Sequence, residues 1–98
     1  MRGKTTMTQQ SNLFNLKPDV ITMYSTSWCP DCKRAKDFFA KHQIQYEDLD
    51  IEANPDGITF VKKLNNGMRI VPTIIFPDGN ILTEPSNAQL AEKLGLLS

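Results

Sequence analysis

The chain has 98 residues, and its 11 basic and 11 acidic side chains leave it formally neutral at pH 7. A chain of this length supports one small hydrophobic core, so we expect a single domain. A neutral chain has no overall field that would hold nucleic acid or an anionic membrane surface. We therefore expect neither as a partner, and we expect a monomer.

The first 17 residues are mostly polar and show neither helical nor strand periodicity, which predicts a flexible N-terminal tail and a domain over 18–98. The stretch lacks the apolar core of a secretory signal, and no run approaches the length of a membrane span. We therefore expect a cytoplasmic protein. In that compartment thiols stay reduced, so a close cysteine pair favours catalysis or metal binding over a structural disulfide.

Hydrophobic periodicity and turn residues divide the rest of the chain into alternating elements. We predict a strand over 20–24, a helix over 30–42, a strand over 44–50, a helix over 55–65, strands over 73–77 and 80–83, and a last helix from Ser86-Asn87 that carries Leu90, Leu94 and Leu97. The first strand, helix and strand predict a parallel crossover, and Asp78-Gly79 predicts an antiparallel hairpin. The order βαβαββα indicates an α/β fold of the thioredoxin type, with a four-stranded mixed sheet and helices on both faces.

The two cysteines, Cys29 and Cys32, lie in the loop that closes the first predicted strand and opens the first helix, where Pro30 suits the first helical position. The first sulfur then lies at a helix N-terminus, where unpaired N–H groups and the helix dipole favour a thiolate. Thiolate is the form that attacks disulfides. We predict an exposed, nucleophilic Cys29 and a less exposed Cys32 that stays protonated until it attacks in turn.

A metal site is an alternative use of the cysteines. Two cysteines and His42 fall one ligand short of tetrahedral zinc, and His42 lies at the far end of the predicted helix, so we expect no metal and no tightly bound cofactor. An iron–sulfur cluster shared between two chains through Cys29, and a noncatalytic interaction module, stay open. An acidic run is expected to form a solvated strand edge: Glu47, Asp48, Asp50 and Glu52.

Three ordered motifs resemble the glutaredoxin family of the thioredoxin superfamily over about residues 18–97, most closely its mycoredoxin branch. They are Thr26-Ser27-Trp28-Cys29-Pro30-Asp31-Cys32, Arg69-Ile70-Val71-Pro72-Thr73 and Asp78-Gly79-Asn80-Ile81-Leu82-Thr83-Glu84-Pro85-Ser86. The resemblance implies a thiol-disulfide oxidoreductase with Cys29 as nucleophile, Cys32 as resolving cysteine and a cis peptide bond between Val71 and Pro72.

The implied reaction is the reduction of mixed disulfides between proteins and a low-molecular-weight thiol, and of protein disulfides. Many glutaredoxins carry a Lys shortly before the first cysteine and a Gly-Gly turn followed by Cys-Asp or Ser-Asp. This chain has Thr26 and Ser27 at the first place and Pro85-Ser86 at the second. The co-substrate is thus left open between glutathione, mycothiol and bacillithiol, as is a dithiol electron donor recycled by thioredoxin reductase, for example for ribonucleotide reductase.

The predicted substrate-binding residues lie in the same motifs: Trp28, Pro30, Arg69, Val71, Pro72, Ser86 and Asn87. A cis Val71-Pro72 bond would turn backbone groups outward to pair with an extended thiol substrate. Arg69 is suited to a substrate carboxylate, and the last helix offers backbone N–H groups at Ser86 and Asn87 for a second. An ordinary solvated arginine and simple N-capping also explain these positions, and Trp28 fits a partner contact, a cover for the sulfur or core packing.

Overall fold

The fold is taken from a computed structural model, in which residues 14–96 are described. Its elements are β1 (Ile21–Ser25), α1 (Pro30–Lys41), β2 (Tyr46–Asp50), α2 (Pro55–Leu64), β3 (Thr73–Ile75), β4 (Ile81–Thr83) and α3 (Asn87–Leu94). This order confirms the predicted succession of strands and helices. Leu97 and most of the predicted tail lie outside the described residues.

The sheet has the strand order β2-β1-β3-β4. β1 runs parallel to β2 and antiparallel to β3, and β3 pairs antiparallel with β4, so the predicted crossover and hairpin are both confirmed. All five residues of β1 are buried, as expected for a strand covered on both faces. The loop after β1 therefore emerges at the middle of one edge of the sheet, where open α/β sheets commonly bind ligands.

Alternate side chains of the strands enter two separate hydrophobic clusters because successive Cβ atoms point to opposite faces of a sheet. On one face, α1 and α3 pack through Ala35, Phe38, Phe39 and Leu90 on Ile21, Met23, Ile74 and Phe76. On the other face, α2 packs through Val61 on Tyr24, Leu49, Ile51 and Ile75. The prediction of helices on both faces is confirmed. Within residues 14–96, no helix combines the length and apolar character needed to cross a membrane.

Several predicted element ends differ from the structure. β2 begins at Tyr46 rather than two residues earlier, because Gln43 adopts a left-handed conformation with φ 57° after α1. The N–H of Ile44 then donates to the carbonyl of Phe39 at 2.8 Å, which holds Ile44 in the turn. β3 ends at Ile75 because the chain enters the hairpin turn there.

The segment before β1 contacts the face of the sheet that carries α2. The N–H of Phe14 donates to Tyr24 Oη at 2.6 Å, and the Phe14 ring meets the edge of Phe60 at 5.5 Å between centroids. Phe14, which falls within the predicted tail, thus packs on the domain. The division at residue 17 stays a prediction.

Candidate active site

Cys29 is the N-cap of α1. Its backbone is extended, with φ −83° and ψ 120°, and Pro30 begins the helix behind it. The Cys29 sulfur accepts a hydrogen bond from the Cys32 N–H at 3.3 Å, where most helices use a side-chain oxygen. A negative charge on this sulfur is therefore stabilised by a helix amide and by the positive end of the helix dipole.

The two cysteines differ in their access to solvent. Cys29 retains 8% of its surface and Cys32 none, and both are free thiols. Cys29 is more buried than predicted, and its thiol donates a long hydrogen bond to the carbonyl oxygen of Val71, 3.8 Å from the sulfur. Of the pair, Cys29 alone presents surface to an incoming disulfide. Trp28, next to it in the chain, is 63% exposed, which rules out core packing for that ring.

Cys32 lies one turn into α1 and faces the sheet. Burial raises the pKa of Cys32 from an ordinary value near 9 to about 12, although a backbone hydrogen bond from Thr26 and the charge of Lys36 act in the opposite direction. Cys32 is therefore a neutral thiol at physiological pH, as the sequence predicts. The hydroxyl of Thr26 is buried and has no hydrogen-bond partner within residues 14–96.

The loop opposite Cys29 carries a cis peptide bond between Val71 and Pro72, as the resemblance implies. The carbonyl of Pro72 accepts from the N–H of Glu84 at 2.9 Å, which joins the loop to the end of β4. The hydroxyl of Thr73 accepts from Asn65 Nδ2 at 3.1 Å, which joins it to the end of α2. These bonds hold the carbonyl of Val71 beside the cysteine sulfur.

Arg69 lies three residues before Pro72 and is already paired. Its Nη2 is 3.2 Å from Oε2 of Glu52, and both side chains are partly exposed. The cation that the sequence suggests for a substrate carboxylate thus has a carboxylate from this chain beside it.

The N-terminus of α3 is held by a capping box. Ser86 Oγ accepts from the N–H of Gln89 at 3.1 Å, and the N–H of Ser86 donates to Gln89 Oε1 at 2.8 Å. Asn87 Oδ1 accepts from Arg34 Nη1 at 3.1 Å. The structure therefore engages Ser86 and Asn87 in hydrogen bonds within the chain, while Arg34 brings the cap close to α1.

Some groups around the cysteines were not found from the sequence. Asp48 was expected on a solvated edge, but its carboxylate accepts from Ser25 Oγ at 2.6 Å and pairs with Lys36 Nζ at 3.3 Å. Lys36 itself is recognisable from the sequence as a basic residue of α1 close to the cysteines, but its pairing with Asp48 is not. The pairing of Arg34 is not recognisable either, because its partner Pro85 lies 51 positions away in the chain.

No metal site accompanies the cysteines in residues 14–96, where no group of three His, Cys, Asp or Glu side chains is placed to hold an ion. His42 caps the C-terminus of α1, and its ring packs against Phe38 at 4.4 Å between centroids.

Comparisons with known proteins agree with this geometry. The family model described as Glutaredoxin matches residues 21–81. A Mycobacterium tuberculosis protein named as a glutaredoxin is 43% identical over 74 residues, which cover 76% of this chain and 88% of that protein. Mycoredoxin 1 of Corynebacterium glutamicum is 32% identical over 78 residues, covering 80% and 96% respectively.

Comparison with solved structures identifies the same fold. The crystal structure of a glutaredoxin from Archaeoglobus fulgidus superposes with a TM-score of 0.66 at 23% identity, over 85% of this chain and 94% of that one. The two cysteines at the start of α1, the cis-proline loop beside them and the family match point to one conclusion. This chain belongs to the glutaredoxin family of thiol-disulfide oxidoreductases.

Proposed function

We propose that this protein reduces mixed disulfides between proteins and a low-molecular-weight thiol, with Cys29 as nucleophile and Cys32 as resolving cysteine. The observation that carries this proposal is the unequal burial of the two sulfurs, 8% and 0% exposed, at one helix N-terminus. The outer sulfur accepts the Cys32 N–H, whereas burial raises the pKa of the inner one to about 12. One thiol is thus prepared to attack first and the other to wait.

The first step is attack of the Cys29 thiolate on the small-thiol sulfur of the mixed disulfide. A bond forms between Cys29 and that sulfur, the protein–sulfur bond breaks, and the substrate protein leaves as a thiolate that takes a proton from water. The two electrons of the old disulfide bond leave with the substrate protein, which is thereby reduced. Cys29 now carries the small thiol as a mixed disulfide.

Two routes release the small thiol from Cys29. A second molecule of the small thiol can attack the adduct and leave as a symmetric disulfide, which restores Cys29. Alternatively, Cys32 attacks Cys29, expels the small thiol and forms an internal disulfide, which two further molecules of the small thiol or a thioredoxin reductase must then reduce. The second route also serves protein disulfides, because it ends a mixed disulfide between two proteins. Both routes require a reducing compartment, for which we take the cytoplasm.

Glutaredoxins use a low-molecular-weight thiol as co-substrate, and the charge arrangement here favours one without carboxylates. Arg69 already pairs with Glu52, and the capping box uses amides at the start of α3. Glutathione and bacillithiol both carry carboxylates, whereas mycothiol carries sugar hydroxyls instead. The name of the relative mycoredoxin 1 is consistent with mycothiol as the co-substrate.

In this proposal the predicted substrate-binding residues still contact the co-substrate. They bind its hydroxyl and amide groups instead of carboxylates. The backbone of Val71 and the ring of Pro72 face the thiol from one side of Cys29, and Pro30 and Trp28 border the sulfur along the chain. Arg69, Ser86 and Asn87 are assigned to the outer part of the co-substrate.

The test is turnover on model mixed disulfides of one carrier peptide with glutathione, mycothiol or bacillithiol, each regenerated by its own thiol. We expect the mycothiol adduct to be consumed fastest. Equal or faster turnover of either carboxylate-bearing adduct would contradict the assignment of the co-substrate. Efficient reduction by thioredoxin reductase, with no turnover on any small-thiol adduct, would instead identify a dithiol electron donor.

A further inference from the structure

The side chain of Lys36, on α1, pairs with one residue of the sheet, which a second residue of the sheet holds in turn. Its Nζ lies 3.3 Å from Oδ2 of Asp48 on β2, and the two side chains are only 29% and 32% exposed. The other carboxylate oxygen of Asp48 accepts from the hydroxyl of Ser25, at the end of β1, at 2.6 Å. Because Ser25 is wholly buried, the carboxylate is anchored and the ammonium with it.

This group of three residues adjoins the resolving cysteine from two directions. Lys36 follows Cys32 by four residues, and residues i and i+4 share one face of a helix. Ser25 precedes Thr26, whose backbone makes a hydrogen bond to the Cys32 sulfur. Lys36 is thus a cation on the same face of α1 as a thiol that must lose its proton.

We propose that Lys36, held by Asp48 and Ser25, is a positioning residue that promotes ionisation of Cys32 in the resolving step and has no part in the first attack by Cys29. This inference rests on the proposed dithiol cycle. In that step the Cys32 thiol and the Cys29–S–S–R adduct give the Cys29–Cys32 disulfide and RSH. The S–S bond to R breaks, one S–S bond forms, and the Cys32 proton passes through water to the departing thiolate.

The resolving step needs such help because Cys32 is wholly buried and a protonated thiol does not attack. The other titratable groups near it supply no positive charge. Cys29 is neutral once it carries the adduct. Asp48 is negative and pairs with Lys36, and Tyr46 on β2 stays protonated, since burial and the negative Asp48 raise its pKa. Among the described residues, Lys36 is the cation that lowers the pKa of Cys32.

Lys33 provides a matched control on the same helix. It follows Cys32 directly, but its side chain is 76% exposed and its Nζ pairs with Asp37 at 3.0 Å in solvent. Water and salt screen an exposed charge far more strongly than a half-buried one. Replacing either lysine with methionine removes the same charge from α1 and leaves one aspartate unpaired, so the two variants differ in the position and burial of the lost ion pair.

The test mixes reduced protein with an excess of a chromophoric aryl disulfide in a stopped-flow instrument. The first release of aryl thiolate depends on reagent concentration and reports attack by Cys29. The second is independent of concentration and reports attack by Cys32 on the adduct. For Lys36→Met we expect the second phase to slow about threefold at neutral pH, with its pH profile displaced upward by about half a unit. The first phase should stay within about twofold of the wild-type rate.

Lys36→Arg should restore the second phase and Lys33→Met should leave it at the wild-type rate, which separates charge from a purely structural effect. If Lys36→Met does not fold, Lys36→Gln is measured in its place. A second phase that is unchanged in the Lys36 variant, or slowed equally by Lys33→Met, would overturn the proposal. Absence of the first phase in the wild-type protein would instead refute the proposed function itself.

Discussion

The guanidinium of Arg34 lies 3.0 Å from the carbonyl oxygen of Pro85, a residue 51 positions later in the chain. The same side chain donates to Asn87 at 3.1 Å and to Asp31 in the first turn of α1 at 3.1 Å. One arginine therefore joins the helix that begins at the cysteines to the cap of α3. It fixes the distance between the reacting sulfur and the outer part of the proposed co-substrate site.

Replacing Arg34 with methionine should loosen that junction. We expect the free energy of unfolding to fall by about 1 kcal/mol, because partly exposed charged hydrogen bonds contribute modestly. The KM for a small-thiol mixed disulfide should rise more than kcat falls, since the cap moves relative to the sulfur. Urea denaturation and steady-state kinetics measure both, with Arg34→Lys as the intermediate case that keeps the charge. Unchanged stability and unchanged KM together would show that the junction has no role.

Glu52→Gln should make the enzyme more tolerant of glutathione. The substitution removes the carboxylate beside Arg69 and leaves the guanidinium free to pair with a substrate carboxylate. We expect kcat/KM for a glutathione mixed disulfide to rise about threefold to tenfold, while that for a mycothiol adduct changes little.

Glu47→Gln is the matched control for that experiment. It removes one negative charge from β2, the strand that Glu52 follows, and Glu47 has no ion pair in the part of the chain that the structure describes. An equal gain with both variants would mean that general charge, and not the pairing of Arg69 with Glu52, sets the preference.

Cys32→Ser should give a working monothiol enzyme. Cys29 keeps its place as the N-cap of α1, and the small thiol itself can release the adduct. Turnover on small-thiol mixed disulfides should persist, while reduction of protein disulfides should fall by at least about tenfold. Loss of both activities in a variant that still folds, as judged by circular dichroism, would contradict the roles assigned to the two cysteines.

Because the pKa of Cys32 is raised, the stability of the reduced protein should depend on pH in the alkaline range. The folded state holds the proton up to a pKa of about 12, whereas the unfolded chain releases it near 9. The unfolded state therefore binds fewer protons between these values, and the free energy of unfolding should decrease as the pH rises through that window. Below it the stabilisation is fully present.

Urea unfolding of the reduced protein at about pH 8 and about pH 10 measures this decrease, with Cys32→Ser as the reference. The serine variant should lose less stability over the same interval. An equal loss in both proteins would assign the alkaline sensitivity to other groups.

The fold was largely predictable because its signals are local. Periodic apolar residues, Pro30 and Pro55 at helix starts, Ser86 as a cap and the Asp78-Gly79 turn each fix an element without reference to distant residues. The strand ends were less predictable, since the left-handed Gln43 that delays β2 has no marker in its residue type.

The surroundings of the cysteines depended on contacts between distant parts of the chain. The Cys29 thiol contacts Val71 and the Arg69 side chain pairs with Glu52, and neither contact follows from a motif. A helical spacing indicates that Lys36 faces the same way as Cys32, but its fixation by Asp48 and Ser25 requires the paired strands. Chemical identity was thus available from the sequence, whereas access and charge balance were not.

The most direct test is to identify which sulfur carries the adduct. Wild-type protein, Cys29→Ser and Cys32→Ser are each mixed with a small-thiol mixed disulfide, quenched with acid and mapped by mass spectrometry of the peptides. We expect the Cys32→Ser variant to accumulate the small thiol on Cys29, and the Cys29→Ser variant to accumulate none. An adduct that forms on Cys32 at a comparable rate, or a Cys29→Ser variant that retains turnover, would contradict the account.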